Sequence, residues 1–183
     1  QTITVVDTTA PTVVTQAYTL TLGSNNTATL TTANVDNGSS DNCDTSLTLS
    51  LSQTAFDCSH LGENTVTLTA TDDNSNSATA TAVVTVVDTT APTAIAQAYT
   101  LTLDSNGAGT LTPANVNNGS SDNCDTSLTL SLSQTAFDCS HLGPNTITLT
   151  ATDDSGNSAT ATAVVTVVDT TAPTFSTSPA NIT

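Results

Sequence analysis

The chain has 183 residues, no lysine or arginine, sixteen carboxylates and a formal charge of −16. Nothing in it can neutralise phosphate or an anionic lipid surface, so nucleic-acid binding and electrostatic membrane docking are excluded. Salt bridges to Lys or Arg and Lys–Asn isopeptide crosslinks are impossible, and no apolar run is long enough to span a bilayer.

Gln1–Val6 runs into a Val-Val-Asp and reads as the last strand of a preceding repeat. Asp7-Thr-Thr-Ala-Pro11 follows and recurs at Asp88–Pro92 and Asp169–Pro173, a spacing of 81 residues each time. Between residues 7–87 and 88–168 only 13 of 81 positions differ. A near-verbatim copy of domain size describes one compact unit repeated along a line.

Within the first copy, residues 13–22 form an extended stretch and Gly23–Asn26 a turn. Residues 27–35 read as a second strand, and 36–44 as a long polar loop containing Asn37-Gly38. Leu47, Leu49 and Leu51 alternate with Thr and Ser and give a third strand. Residues 56–62 are an irregular connection. Residues 65–71 are a strand with Val66, Leu68 and Ala70 inward, and 72–77 a tight loop. The last strand, 78–87, has Ala78, Ala80, Ala82, Val84 and Val86 on one face.

Six or seven short alternating strands in about 80 residues predict an all-β chain of tandem immunoglobulin-like β-sandwich domains, end to end. The domains are 7–87 and 88–168, with 169–183 starting a further repeat. Regular Leu and Val alternation argues against disorder. A β-solenoid of the ice-binding kind needs a shorter internal period than any found inside the 81 residues.

Cys43 and Cys58, and Cys124 and Cys139, hold equivalent places, each pair spanning sixteen residues. Two cysteines per thin-cored domain suggest the intradomain bridges Cys43–Cys58 and Cys124–Cys139, each contributing roughly 3 kcal/mol. Two free thiols per repeat, or a metal pair with His60, are the alternatives. A disulfide implies an extracellular location.

The acidic residues suggest a calcium site at each domain junction. If strands run up and down, the entry linker and the 36–44 and 72–77 loops share one end. Asp7, Asp41, Asp44, Asp72 and Asp73 then converge, with Asn74 and Asn76 in the alternating spacing of a calcium loop. The same set recurs as Asp88, Asp122, Asp125, Asp153, Asp154 and Asn157, and Asp169 opens the next junction. Calcium prefers six to eight oxygens on flexible loops, and these carboxylates have no basic residue beside them. The alternative is that they are turn formers making Asx-turns, with charge for solubility.

His60 and His141 read as surface residues. Ser and Asp are too abundant for a Ser/His/Asp arrangement to carry information. There is no paired-Glu arrangement and no Gly-rich phosphate loop, so no catalytic residue is assigned.

Residues 61–73, Leu-Gly-Glu-Asn-Thr-Val-Thr-Leu-Thr-Ala-Thr-Asp-Asp, resemble the late half of hyalin-repeat (HYR) modules, as does the Asp153-Asp-Ser-Gly-Asn157 turn. The tail from Ala172 resembles a HYR start, with Ser178 where a cysteine usually sits. Ser40-Asp-Asn-Cys43 with Phe56-Asp-Cys-Ser59 is similar to repeats of giant secreted adhesins of gliding Bacteroidota, the SprB-like group. That resemblance implies a surface filament exported by type IX secretion. It also implies O-glycosylation at Asp-Thr-Thr sites such as Asp7-Thr8-Thr9 and Asp88-Thr89-Thr90, an unmodified linker being the alternative.

The expected function is structural, a repeat segment of a long extracellular filament or adhesin stiffened by Ca2+. Its partners are neighbouring repeats, with surface or glycan contact left to a distal tip. A glycan- or cell-binding module and a non-catalytic spacer in a secreted enzyme are the alternatives. The absence of exposed aromatics beyond Tyr18 and Tyr99 disfavours the glycan reading.

Overall fold

The computed structural model describes residues 1–174. Residues 175–183, including Ser178 of the expected HYR start, lie outside them. The chain divides into two compact units, Gln1–Thr90 and Ala91–Thr183. Both are all-β sandwiches of immunoglobulin-like character. Among the described residues, no helix is long and apolar enough to cross a membrane.

The first unit is organised by its two longest strands, β5 (Gly62–Thr71) and β6 (Ser77–Val87), which pair antiparallel from Gly62↔Val86 to Thr71↔Ser77. Alternate side chains point to opposite faces, so Val66, Leu68 and Ala70 are fully buried, opposite a β6 face that buries Ala82, Val84 and Val86. The expected inward face of the 65–71 strand is therefore observed. On β6 it fades toward Ala78 and Ala80, which are half-exposed. β3 (Thr48–Leu51) pairs antiparallel with β5 on one edge, and β1 (Tyr18–Thr21) pairs parallel with β6 on the other.

The second layer is irregular. β2 (Thr27–Thr29) pairs antiparallel with β4 (Ala55–Asp57), which carries the buried Phe56. Single bridges join Thr12 to Ser40 and Thr15 to Asp36. Leu22, Leu30 and Val35 are buried. Residues 1–6 form no strand, and Ile3 and Val5 are fully exposed, at 84% and 92%.

The second strand expected over 27–35 stops at Thr29. Helix α1 (Thr32–Val35) replaces its latter half. Asn34 causes this locally: its Oδ1 accepts from the Thr31 backbone N–H at 2.9 Å and the Thr31 hydroxyl at 2.7 Å. A side chain that satisfies the first turn in this way outcompetes a strand ladder.

The second unit repeats the plan. β7 (Tyr99–Thr102), β12 (Ser158–Val168), β11 (Gly143–Thr152) and β9 (Thr129–Leu132) form one sheet in that order. β8 (Ala108–Thr110) pairs with β10 (Ala136–Asp138) in the other layer, and α2 spans Pro113–Val116. One core cluster draws on both layers: Leu103, Leu111, Val116 and Phe137 pack with Ile147, Leu149, Val165 and Val167.

Strand directions give each unit two distinct ends. At the entry end of the first unit lie the 7–12 linker, the 36–44 loop and the 72–76 turn. At its exit end lie the 23–27 turn, Val87 and the single 3-10 turn Cys58–His60 that precedes β5. The ten residues of β5 separate the two by roughly 30 Å.

Candidate metal centre at the entry end

The entry end of the first unit is a set of turns, each closed by an aspartate. Asp7 accepts the Thr9 N–H at 2.9 Å. That bond is the chief reason its carboxyl sits below the ordinary carboxylate range. Asp41 Oδ2 accepts the backbone N–H groups of Cys43 at 2.8 Å and Asp44 at 3.3 Å. Asp44 Oδ2 accepts the Asp73 N–H at 2.9 Å, tying loop to turn. Asp72, 5% exposed, accepts from the Asn76 N–H and the Asn76 amide, both at 2.7 Å. The same amide reaches the Asp7 carbonyl at 3.2 Å. Asp36 makes a similar turn, accepting from Ser39 N–H at 3.1 Å, and Asn117 does the same for Ser120 at 3.1 Å. Charge is thus dispensable at that position, which explains why it differs between copies.

Three loops therefore meet. Oxygens of Asp41, Asp44 and Asp72 lie within 4.8 Å of one another, as do ligand atoms of Asp7, Asp41 and Cys43. In the second unit Asp122 and Asp153 approach equally closely. There Asp122 Oδ2 holds Cys124 N–H at 2.7 Å, Asp125 Oδ2 holds Asp154 N–H at 2.9 Å, and Asp153 is gripped by Asn157 at 2.7 and 2.8 Å. Asp73, Asp154 and Asn74 are exposed. Asp73 and Asp154 serve through their backbone N–H groups. Asp88 and Asp169 each accept an N–H two residues on, from Thr90 at 2.9 Å and Thr171 at 2.8 Å, so all three linker aspartates make one Asx-turn.

Two oxygens of the first unit's cluster, Asp7 Oδ2 and Asp41 Oδ1, have no role in this turn chemistry. Asp41 Oδ1 is buried without a hydrogen-bond partner, and so is its equivalent, Asp122 Oδ1. A buried carboxylate oxygen without a donor is costly, and the chain has no Lys or Arg to supply one. A hard divalent cation ligated by oxygen fits this donor set.

The expected bridges Cys43–Cys58 and Cys124–Cys139 are not formed. Cys43 and Cys139 are free and exposed, while Cys58 and Cys124 are disulfide-bonded. The reason is strand direction. β3 leaves the entry end antiparallel to β5, and β4 continues to the exit end. Cys43 and Cys58 thus end at opposite ends of one sandwich, and a disulfide tolerates a Cα separation of no more than about 7 Å. Desolvation, followed by the charge of Asp7, pushes the Cys43 thiol above its ordinary value.

His60 is a structural residue. Its Nδ1 lies 2.8 Å from Asp57 Oδ1, and its ring meets Phe56 edge-on at 5.4 Å. Asp57 caps the 3-10 turn, accepting from the Ser59 N–H at 2.9 Å and its hydroxyl at 2.6 Å. His141, Asp138 and Phe137 repeat the arrangement.

No family model and no curated protein matches the chain. Solved cadherin-type ectodomains are similar to it. Human mucin-like protocadherin EC1-2 is 14% identical with a TM-score of 0.42, covering 87% of this chain and 98% of that one. Mouse cadherin-23 EC22-24 is 14% identical with a TM-score of 0.43, covering 90% and 66%. Drosophila N-cadherin EC1-4 is 12% identical with a TM-score of 0.43, and this chain spans about half of it, 87% and 50% being covered.

Proposed function

We propose that this chain is a structural repeat segment of a long extracellular filament or cell-surface adhesin, and that each entry-end acidic cluster takes up calcium. The observation that carries the reading is the buried, unpartnered oxygen of Asp41, recurring 81 residues later in Asp122. Asp41, Asp44 and Asp72 would supply carboxylates, with Asp7 beside them. Bound calcium would lock the 7–12 linker, the 41–44 loop and the 72–76 turn together. A hinged Asp-Thr-Thr-Ala-Pro segment, already restricted by its proline, would then set the posture of the repeat.

The role is mechanical and non-catalytic. Near-verbatim repetition suits a spacer of defined length, whose neighbours are further repeats and whose recognition is left to a tip. The quoted HYR-like and SprB-like residues support a secreted gliding-motility adhesin as the setting. Removing calcium with a chelator while following thermal stability and filament persistence length tests the reading. Both should fall, and no change in either would sink it.

A further inference from the structure

We propose that Asn37 and Asn118 are modification sites, at which each repeat converts its own asparagine through a succinimide to aspartate and isoaspartate, while Asn106 is protected. The inference goes beyond the repeat and calcium readings and depends on neither.

Asn-Gly occurs three times in the chain, at 37–38, 106–107 and 118–119. Succinimide formation asks for an uncrowded residue after the asparagine, a backbone N–H free to ionise, and a side-chain amide free to swing onto it. Glycine meets the first demand because it has no Cβ. Asn37, Gly38, Asn118 and Gly119 are all exposed, and a Cβ on either glycine would meet nothing within 4 Å. Among the described residues, the Asn37 and Asn118 side chains have no hydrogen-bond partner, and neither do the backbone N–H groups of Gly38 and Gly119. The turn itself is anchored around them. Asn37 N–H donates to the Val14 carbonyl at 2.9 Å, and Asn118 N–H to the Ile95 carbonyl at 2.9 Å.

Asn106 is exposed too, but its reacting groups are engaged. Gly107 N–H donates to the Asp104 carbonyl at 3.0 Å, and the Asn106 amide reaches Asp104 Oδ2 at 3.4 Å. Asn106 N–H adds a bond to Asp104 Oδ1 at 2.8 Å. A nitrogen already donating a hydrogen bond loses that bond when it gives up its proton, so the third site reacts more slowly.

The step needs only base and water. Base takes the Gly38 N–H proton and the nitrogen attacks Asn37 Cγ. The new N–Cγ bond closes a cyclic imide, and the Cγ–Nδ2 bond breaks to release ammonia. Water then opens the imide at Cγ, giving aspartate, or at the backbone carbonyl carbon, giving isoaspartate. The sum is amide plus water to carboxylate plus ammonium, with nothing oxidised or reduced. Isoaspartate places an extra methylene in the backbone between the Asn37–Val14 bond and the Thr12–Ser40 pair, whose bonds are 2.8 and 3.0 Å. The hold of the sandwich on its 12–14 segment therefore loosens as the chain ages.

The intact chain is kept in warm, mildly alkaline buffer, folded or in urea, and sampled over days. Isoelectric focusing counts the acidic isoforms, and peptide mapping with fragmentation that separates isoaspartate from aspartate locates them. In the folded chain Asn37 and Asn118 should convert, with Asn106 lagging both by about fivefold or more, the factor one hydrogen bond is worth. In urea the turns are gone, and all three should convert at similar rates. Asn37→Gln with Asn118→Gln should remove the early acidic isoforms of the folded chain, because glutamine must close a larger ring. Asn37 and Asn118 staying intact in the folded chain, or Asn106 keeping pace with them there, would overturn the proposal.

Discussion

Asp44 holds the backbone N–H of Asp73, 29 residues away, at 2.9 Å, and Asp125 holds Asp154 at the same distance. This bond fastens the long polar loop to the β5–β6 turn and fixes where the acidic oxygens stand. Asp44→Ala should free the turn and lower stability by about 1 kcal/mol without calcium. Asp44→Asn keeps an acceptor and should leave calcium-free stability almost unchanged while weakening calcium binding. Urea denaturation with and without calcium separates the two effects.

The β5–β6 turn of the first unit contains Ser75 at φ 72°, and its equivalent in the second unit is Gly156 at φ 91°. A side chain in the left-handed region is strained, whereas glycine is not. Ser75→Gly should stabilise the first unit by about 0.5 kcal/mol after its greater unfolded-state entropy is subtracted. A lowered urea midpoint would contradict this.

Leu68 and Leu149 are fully buried at the centres of the two sheets. Leu68→Ala or Leu149→Ala should cost about 2–5 kcal/mol in the unit that carries it. Denaturant melts of each variant give the loss directly. A cost below about 1 kcal/mol would mean that the core is not packed as described.

Asp57 and Asp138 have carboxyls held below the ordinary range, first by the Ser59 and Ser140 hydroxyls and then by the same residues' backbone N–H groups and the neighbouring histidines. A folded value depressed below the unfolded one contributes stability above the unfolded pKa of about 3.9 and loses it as pH falls through the folded value. Thermal melts should therefore show an acid-side loss beginning near pH 4, and Asp57→Asn with Asp138→Asn should flatten that slope. An unchanged slope would remove these caps from the account.

The alternating strands were legible because burial on one face leaves a period of two. Val66, Leu68 and Ala70 follow it. The single turn at Thr32–Val35 was hidden because Thr and Val favour strands, and only the Thr31–Asn34 cap reveals it. The convergence of the 41–44 loop with the 72–76 turn could be argued from strand alternation alone. The cysteine pairing could not, because proximity in sequence favours Cys43–Cys58. The decisive fact is that β3 and β4 together carry the chain from the entry end to the exit end, so it never returns by residue 58. The parallel pairing of β1 with β6 left no sequence signal either, because it depends on which edge of the sheet the first segment reaches.

Calcium titration of the chain by calorimetry, beside Asp41→Asn with Asp122→Asn, tests the central claim most directly. The account predicts binding in the range of extracellular calcium modules, about 10⁻⁴–10⁻³ M. It also predicts a rise in melting temperature with calcium, with both effects lost in the variant while its calcium-free stability is kept. No heat of binding and no shift in melting temperature for the unaltered chain, or equal binding by the variant, would contradict it.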